Sequence, residues 1–221
     1  MEASEMSTDQ LEILTGGLSR PSKMPCHGYS LPASKCRTGG KLRDVEGGVC
    51  ARCYAMRGRF NFDNVQTAMH RRWRSVVDAD EQNVPIDQGW ASWMAELIGR
   101  QEKSGYLRIH DSGDLVSSRH LLRIFWVARR LQHVKFWLPT REVAFTREAL
   151  AQHDKPKNLT IRLSATMIDG PAPTDLANRL GVRTSGVVTN GATCPAPQQG
   201  GVCGDCRACW DSKRHVTYKL H

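Results

Sequence analysis

Between residues 64 and 192 the hydrophobic pattern of this chain changes period repeatedly, and that switching restricts its fold more than any other feature. Apolar residues three and four apart line one face of a helix, whereas a short apolar run bounded by turn residues reads as a strand. "NVQTAMHRRWRSVV" places Val65, Ala68, Met69, Trp73, Val76 and Val77 on one helical face, and Trp90, Trp93, Met94, Leu97 and Ile98 repeat the pattern. "YLRIHDSGD" then reads as a strand running into a polar turn, and "SSRHLLRIFWVARRLQ" as a helix capped by Ser117 or Ser118. "VKFWLPTR" and "NLTIRLSAT" are further strands, with the helix "EVAFTREALAQH" between them. "TDLANRLG" is a short helix with Thr174 placed to cap it and Gly181 to end it, and "SGVVTNGA" is a fourth strand. Strand and helix in alternation build βαβ units and a parallel sheet. Four strands are too few for an eightfold barrel. The expectation is an α/β fold, a partial (β/α) barrel or small parallel sheet, with a Cys-rich metal-binding C-terminal segment. It comprises a flexible N-terminal segment over 1–20 and a single α/β domain over 21–221, which is enough chain for one sizeable core.

Parallel α/β architectures bind ligands at the carboxyl ends of their strands. The residues leaving these strands are His110 to Asp114, then Thr140 and Arg141, then Ser164 and Thr166, then Thr189 and Asn190. They are expected on one rim. "HDSGD" packs three titratable groups around a glycine, which nominates His110, Asp111 and Asp114 as catalytic. His110 is the expected proton carrier, its ordinary pKa lying nearest neutrality. Ser112, Gly113, Thr140, Arg141, Ser164 and Asn190 are the expected cofactor-binding positions. The plainer alternative has Asp111 and Asp114 capping the following helix, where carboxylates are favoured.

Eight cysteines fall into two sequence groups, Cys26, Cys36, Cys50 and Cys53 near the start and Cys194, Cys203, Cys206 and Cys209 near the end. The acidic opening "MEASEMSTDQ" has neither the basic nor the apolar part of a secretory leader, and no apolar run is long enough to span a bilayer. The expected location is therefore the cytoplasm, where clustered thiols hold metal more often than disulfides. Zinc is satisfied by two Cys-x2-Cys knuckles, such as Cys50/Cys53 with Cys206/Cys209. Three cysteines at Cys-x2-Cys-x2-Cys suit a [4Fe–4S] cube, and ferredoxin runs likewise carry a Cys-Pro dipeptide, here Cys194-Pro195. Trp210, beside Cys209, is placed to shield it. All eight thiols are candidate metal ligands, for one cluster, two clusters, or a cluster and a zinc. If both ends share a site, the metal closes the domain like a clasp.

The blocks "KMPCHGYSLPASKCRTGG", "CARCYAMRG", "LRIHDSGDL", "FWLPTR" and "CGDCRACW", in this order, resemble a cysteine-rich bacteriophage family first catalogued as gene product eighty-eight of a mycobacteriophage. The resemblance runs from about Lys23 to His221 and implies a phage-encoded protein of the host cytoplasm. A more distant similarity is to radical S-adenosylmethionine enzymes, in which three cysteines hold a [4Fe–4S] cluster whose remaining iron binds the cosubstrate. A glycine-rich turn after their second strand grips its amino group. "HDSGD" matches that turn only if a further short strand precedes it. Those enzymes carry Cys-x3-Cys-x2-Cys, whereas Cys36 lies fourteen residues before Cys50.

A formal charge of +9 adds some attraction to polyanions, with "HRRWR" (His70–Arg74) and "SKRH" (Ser212–His215) the densest basic runs. Two classes of function remain. One is a phage-encoded iron–sulfur protein acting as a redox or radical-type enzyme. The other is a zinc- or cluster-stabilised non-catalytic module that binds nucleic acid or a host or virion protein.

Overall fold

Along three consecutive strands, aliphatic residues alternate with polar or aromatic ones: Leu107 and Ile109, Phe136 and Leu138, then Leu159, Ile161 and Leu163 are all buried on one side. Their neighbours Tyr106, Arg108, Trp137, Thr160, Arg162 and Ser164 take the other side, because successive strand residues face opposite ways. The computed structural model, which describes residues 2–220, assembles these strands into one six-stranded parallel sheet. In chain order the elements are α1 (Thr8–Thr15), β1 (Gly28–Tyr29), α2 (Arg37–Lys41), α3 (Asp63–Glu81), α4 (Trp90–Gln101), β2 (Tyr106–Ile109) and α5 (Ser118–Arg130). There follow β3 (Lys135–Thr140), α6 (Val143–Gln152), β4 (Leu159–Ile168), α7 (Thr174–Arg179), β5 (Arg183–Val188) and β6 (Val216–Lys219).

The strands lie in sequence order, β1 to β6, each parallel to the next. Right-handed crossovers between adjacent parallel strands place helices α3 to α7 on one face. This is the winding of a (β/α) barrel, left open because β1 and β6 stay at opposite edges. On the helical side one large core joins Ile98, Leu121, Phe125, Phe136, Leu138 and Ile161. The opposite side is closed by the two ends of the chain, with Cys26, Trp137 and Trp210 buried together and Met24, Tyr106, Cys209 and Tyr218 against them.

Two strands were not expected. β1 is only two residues long, and its Tyr29 turns inward to the helices, donating to the Thr15 carbonyl at 2.6 Å. β6 follows the cysteine-rich loop and pairs with β5 alone. The described part of segment 1–20 carries a helix, not the flexible stretch expected. Ser7 caps α1, accepting from the Gln10 amide at 3.2 Å, while Leu11 is fully buried. Ser117 caps α5 as its sequence indicates, accepting from the His120 amide at 2.9 Å. Thr174 does not cap α7; it is that helix's first residue, and Pro173 precedes it. Among the described residues no helix is long and apolar enough to cross a membrane.

Candidate functional site

The cysteines part into two groups, and the division is not the one their sequence order suggests. After β1 the chain runs through α2 and several 3₁₀ turns that carry Cys36, Cys50 and Cys53 across the strand exits. Thr38 anchors this segment to β3, its amide and hydroxyl donating to the Glu142 carboxylate at 2.8 and 2.9 Å. Gly48 bridges to Met167, and the Ile168 amide donates to the Gly47 carbonyl at 2.9 Å, which fixes it to β4. Tyr54, next to Cys53, donates to the Asp111 carbonyl beyond β2. Three thiols are thereby gathered over the carboxyl ends of three neighbouring strands. A Cβ added to Gly39 would lie 3.1 Å from the Cys36 Cβ, 3.4 Å from the Cys50 sulfur and 3.8 Å from that of Cys36, so two cysteines crowd this glycine. Burial pushes the Cys36 thiol up to about 12, with Asp114, Cys53 and Cys50 adding to the rise. Burial also raises Cys50, against the pull of the Arg141 guanidinium.

Cys26 departs from the N-terminal group and joins the C-terminal four on the inner side of the sheet. Burial pushes its thiol up to about 12, with Glu102 and Cys203 adding and Arg108 opposing. The Cys203 amide donates to the Lys23 carbonyl at 3.2 Å, so the two ends of the chain meet here. Cys194 donates its amide to Thr217 at 3.0 Å, and the Cys209 sulfur lies 3.4 Å from the Tyr218 hydroxyl. Burial raises Cys209 to about 11, opposed by that hydroxyl, Arg108 and Arg162.

Two arginines that sequence reasoning passed over organise this layer. Arg162, fully buried on β4, donates to five carbonyls: Cys209 at 3.0, Thr184 at 3.2, Arg214 at 2.6, Ala208 at 2.7 and Asp211 at 2.9 Å. It moulds the cysteine loop onto the sheet. Arg108, on β2, lies 4.4 Å above the Trp137 ring and reaches Tyr54 at 3.4 Å. It stands between the two thiol groups. Arg108 Nε and Trp137 Nε1 are buried donors without a hydrogen-bond partner, set beside Cys26 and Cys209. The signal for both arginines was present: "YLRI" and "LTIRLS" put a cation at alternate positions, on the face away from the helices.

The "HDSGD" loop is placed differently from expectation. His110 is 2% exposed with φ of 63°, its ring 5.4 Å from that of His120, and neither ring nitrogen has a partner. Burial holds it well below its ordinary pKa, so it is a neutral core histidine here and not a proton carrier open to the rim. Ser112 and Gly113, expected to bind a cofactor, are committed to the chain itself. The Ser112 hydroxyl donates to the Leu31 carbonyl at 2.8 Å, and a Cβ on Gly113 (φ 80°) would meet Leu31 at 2.5 Å. Asp114 caps no helix. It accepts from the Thr140 hydroxyl at 2.5 Å and the Arg141 amide at 2.8 Å, lashing the exits of β2 and β3 together. Burial pushes its carboxyl up to about 6 against those donors. Asp111 keeps one buried oxygen unpartnered.

Thr140 and Arg141 do reach the rim beside the first thiol group; Arg141 also donates from Nε to the Ala165 carbonyl at 3.2 Å. Ser164 faces inward and pairs with Ser185 at 3.1 Å, while Asn190 is exposed beyond β5. The run "HRRWR" is structural: Arg71 and Arg72 hold carbonyls after α1, and Arg74 pairs with Asp78 at 2.7 Å. All eight thiols are free. Among the described residues no three His, Cys, Asp or Glu side chains converge as a single metal ion requires, so neither a zinc site nor the expected metal-binding segment is preformed. No curated protein and no solved structure matches the chain. Its family is nonetheless shown, since the family model described as Gene product 88 matches residues 3–212: the chain belongs to that phage gene-product family.

Proposed function

We propose that this protein is an iron–sulfur protein of the host cytoplasm with two separate cluster sites. Cys36, Cys50 and Cys53 would hold a [4Fe–4S] cluster on the rim. Ligands drawn from Cys26, Cys194, Cys203, Cys206 and Cys209 would hold a second one on the inner face. The observation that supports the reading is the placing of Cys36 and Cys50 around the side-chain-free Gly39, with Cys53 on the same segment over the strand exits. Three thiolates leave one iron of a cube unclaimed, which favours a radical-type enzyme with S-adenosylmethionine as cosubstrate. β1 supports this reading, because it makes "HDSGD" the turn after the second strand. Such a cluster, once reduced by an external one-electron donor, would supply one electron to a sulfonium cosubstrate. The chain's own residues would orient that cosubstrate: Arg141 offers a cation at the rim and Asp111 a carboxylate oxygen without a partner. On the inner face, Arg108 and Arg162 are buried cations beside thiols, suited to offset an anionic cluster.

A second reading is favoured by the fate of the polar loop. With His110 buried and Ser112 and Gly113 committed to Leu31, the clusters could serve a non-catalytic module, and the five inner thiols could take zinc. Anaerobic purification with iron, sulfide and zinc analysis separates the readings, followed by calorimetric titration with S-adenosylmethionine. Near-equal iron and sulfide, about halved by either Cys53→Ser or Cys209→Ser, is the expected result. Heat on titration should survive Cys209→Ser and vanish in Cys53→Ser. A colourless folded protein with stoichiometric zinc would end the cluster reading, and iron without any titration heat would end the radical one.

A further inference from the structure

At the end of the sheet away from the thiol rim, a recess of about 660 Å³ opens between the starts of β2, β3 and β4 and the cysteine loop. Lys135, Lys157, Arg207 and Arg214 line it, together with Tyr106. The one acidic residue on its wall, Asp211, is already paired with Arg214 at 3.2 Å. Arg207 is held in place, donating to the Gly204 and Cys206 carbonyls at 2.6 and 3.0 Å. Arg207 lies 5.2 Å over the Tyr106 ring and Lys135 lies 5.8 Å over it, so one aromatic ring presents two charges toward the recess. Arg183 stands behind this wall, donating to the Ser212 carbonyl, and adds to the local excess of positive charge. Burial and Arg183 together hold the neighbouring Lys155 below its ordinary pKa.

From this wall we infer that the recess is a binding groove for single-stranded nucleic acid, which would take the phosphodiester backbone along Lys135, Lys157, Arg207 and Arg214. Forked guanidiniums match phosphate oxygens, and the spread of four cations along a groove suits a repeating anion better than a single carboxylate. A recess of about 660 Å³ has room for part of a flexible strand and not for the body of a rigid duplex. Lys135 and Lys157 belong to neither thiol group, so the test rests on them and not on Arg207, which adjoins Cys206.

The test is fluorescence anisotropy with a labelled oligothymidylate and the full chain, purified anaerobically with its iron content recorded. The double variant Lys135→Glu/Lys157→Glu should weaken binding at least tenfold and flatten the log–log salt dependence by about 1.4, the value for two lost phosphate contacts on a single strand. Arg147→Glu/Arg179→Glu, an equal charge change on exposed residues of α6 and α7, should leave affinity within about twofold. Equal weakening by both pairs would reduce the effect to net charge and overturn the proposal, as would no binding at about 50 mM salt. Tighter binding to a duplex of the same length, or full competition by polyglutamate, would overturn it too. Unchanged iron in the groove variants keeps this outcome separate from that of the cluster reading.

Discussion

Arg162 carries a full positive charge into the interior, and no carboxylate lies within ion-pair distance of it among the described residues. Its five carbonyl acceptors replace the water it gives up, and removing it would leave those acceptors buried and unsatisfied. Lysine cannot substitute, having three donors on one atom where the guanidinium spreads five over a plane. Arg162→Lys should cost about 3 kcal/mol in urea denaturation and lower iron content with it. The paired histidines make a second prediction. Burial depresses both rings, His120 to about 3 and His110 well below its ordinary value, so the native state binds fewer protons than the unfolded chain. The stability they contribute is complete above the unfolded value of about 6.5 and is lost progressively as pH falls toward the folded one. Each ring should cost about 1.4 kcal/mol per pH unit below 6.5. His120→Leu should flatten the acid limb of the stability–pH curve by that amount per unit, measured by denaturation between pH 4 and 7.

Among the elements, α2 is the smallest helix and the one closest to chemistry. Gly39 sits in it without positive φ, so alanine meets no backbone strain there and gains about 1 kcal/mol of helix propensity. Its methyl would nonetheless stand 3.4 Å from the Cys50 sulfur, in the gap between two thiols. A 3.1 Å contact with the Cys36 Cβ opposes that gain, so Gly39→Ala should leave the metal-free protein within about 1 kcal/mol of its former stability and remove about half the iron after anaerobic reconstitution. Legibility followed element length. β2 to β5 were readable because four or more residues alternate before a turn. β1 offers two residues, too few to show a period, and its existence rests on pairing with β2. The same missing strand concealed the place of "HDSGD" in the strand order. Eight thiols were legible as candidate metal ligands by residue type alone, and their spatial grouping was not legible: Cys26 lies ten residues from Cys36 but turns to the opposite side of the sheet. His110 misled because its residue type suggests catalysis, while the burial that neutralises it comes from His120 and neighbours distant in sequence.

At the scale of the molecule, among the described residues the inner face of the sheet carries no α-helix and is covered by the segments around Cys26 and Trp210. Metal that binds the folded thiols and not the unfolded chain must raise the melting temperature. Reconstituted protein should melt about 5–10 °C above protein stripped by chelator, as expected for a few kcal/mol in a chain of this size. If Cys26 shares a metal with the C-terminal thiols, losing it should account for most of that difference, since those residues join segments far apart in sequence; calorimetry of Cys53→Ser and Cys209→Ser checks this. The meeting of Lys23 with Cys203, and the last strand, β6, at the sheet's edge, also set a timetable for biosynthesis. A ribosome delivers the N-terminus first. Cys36, Cys50 and Cys53 find their anchors once β4 has emerged, while Cys26 must wait for nearly the whole polypeptide. If the thiols hold clusters, the rim set is complete early in synthesis, and the inner set only once Cys209 has followed.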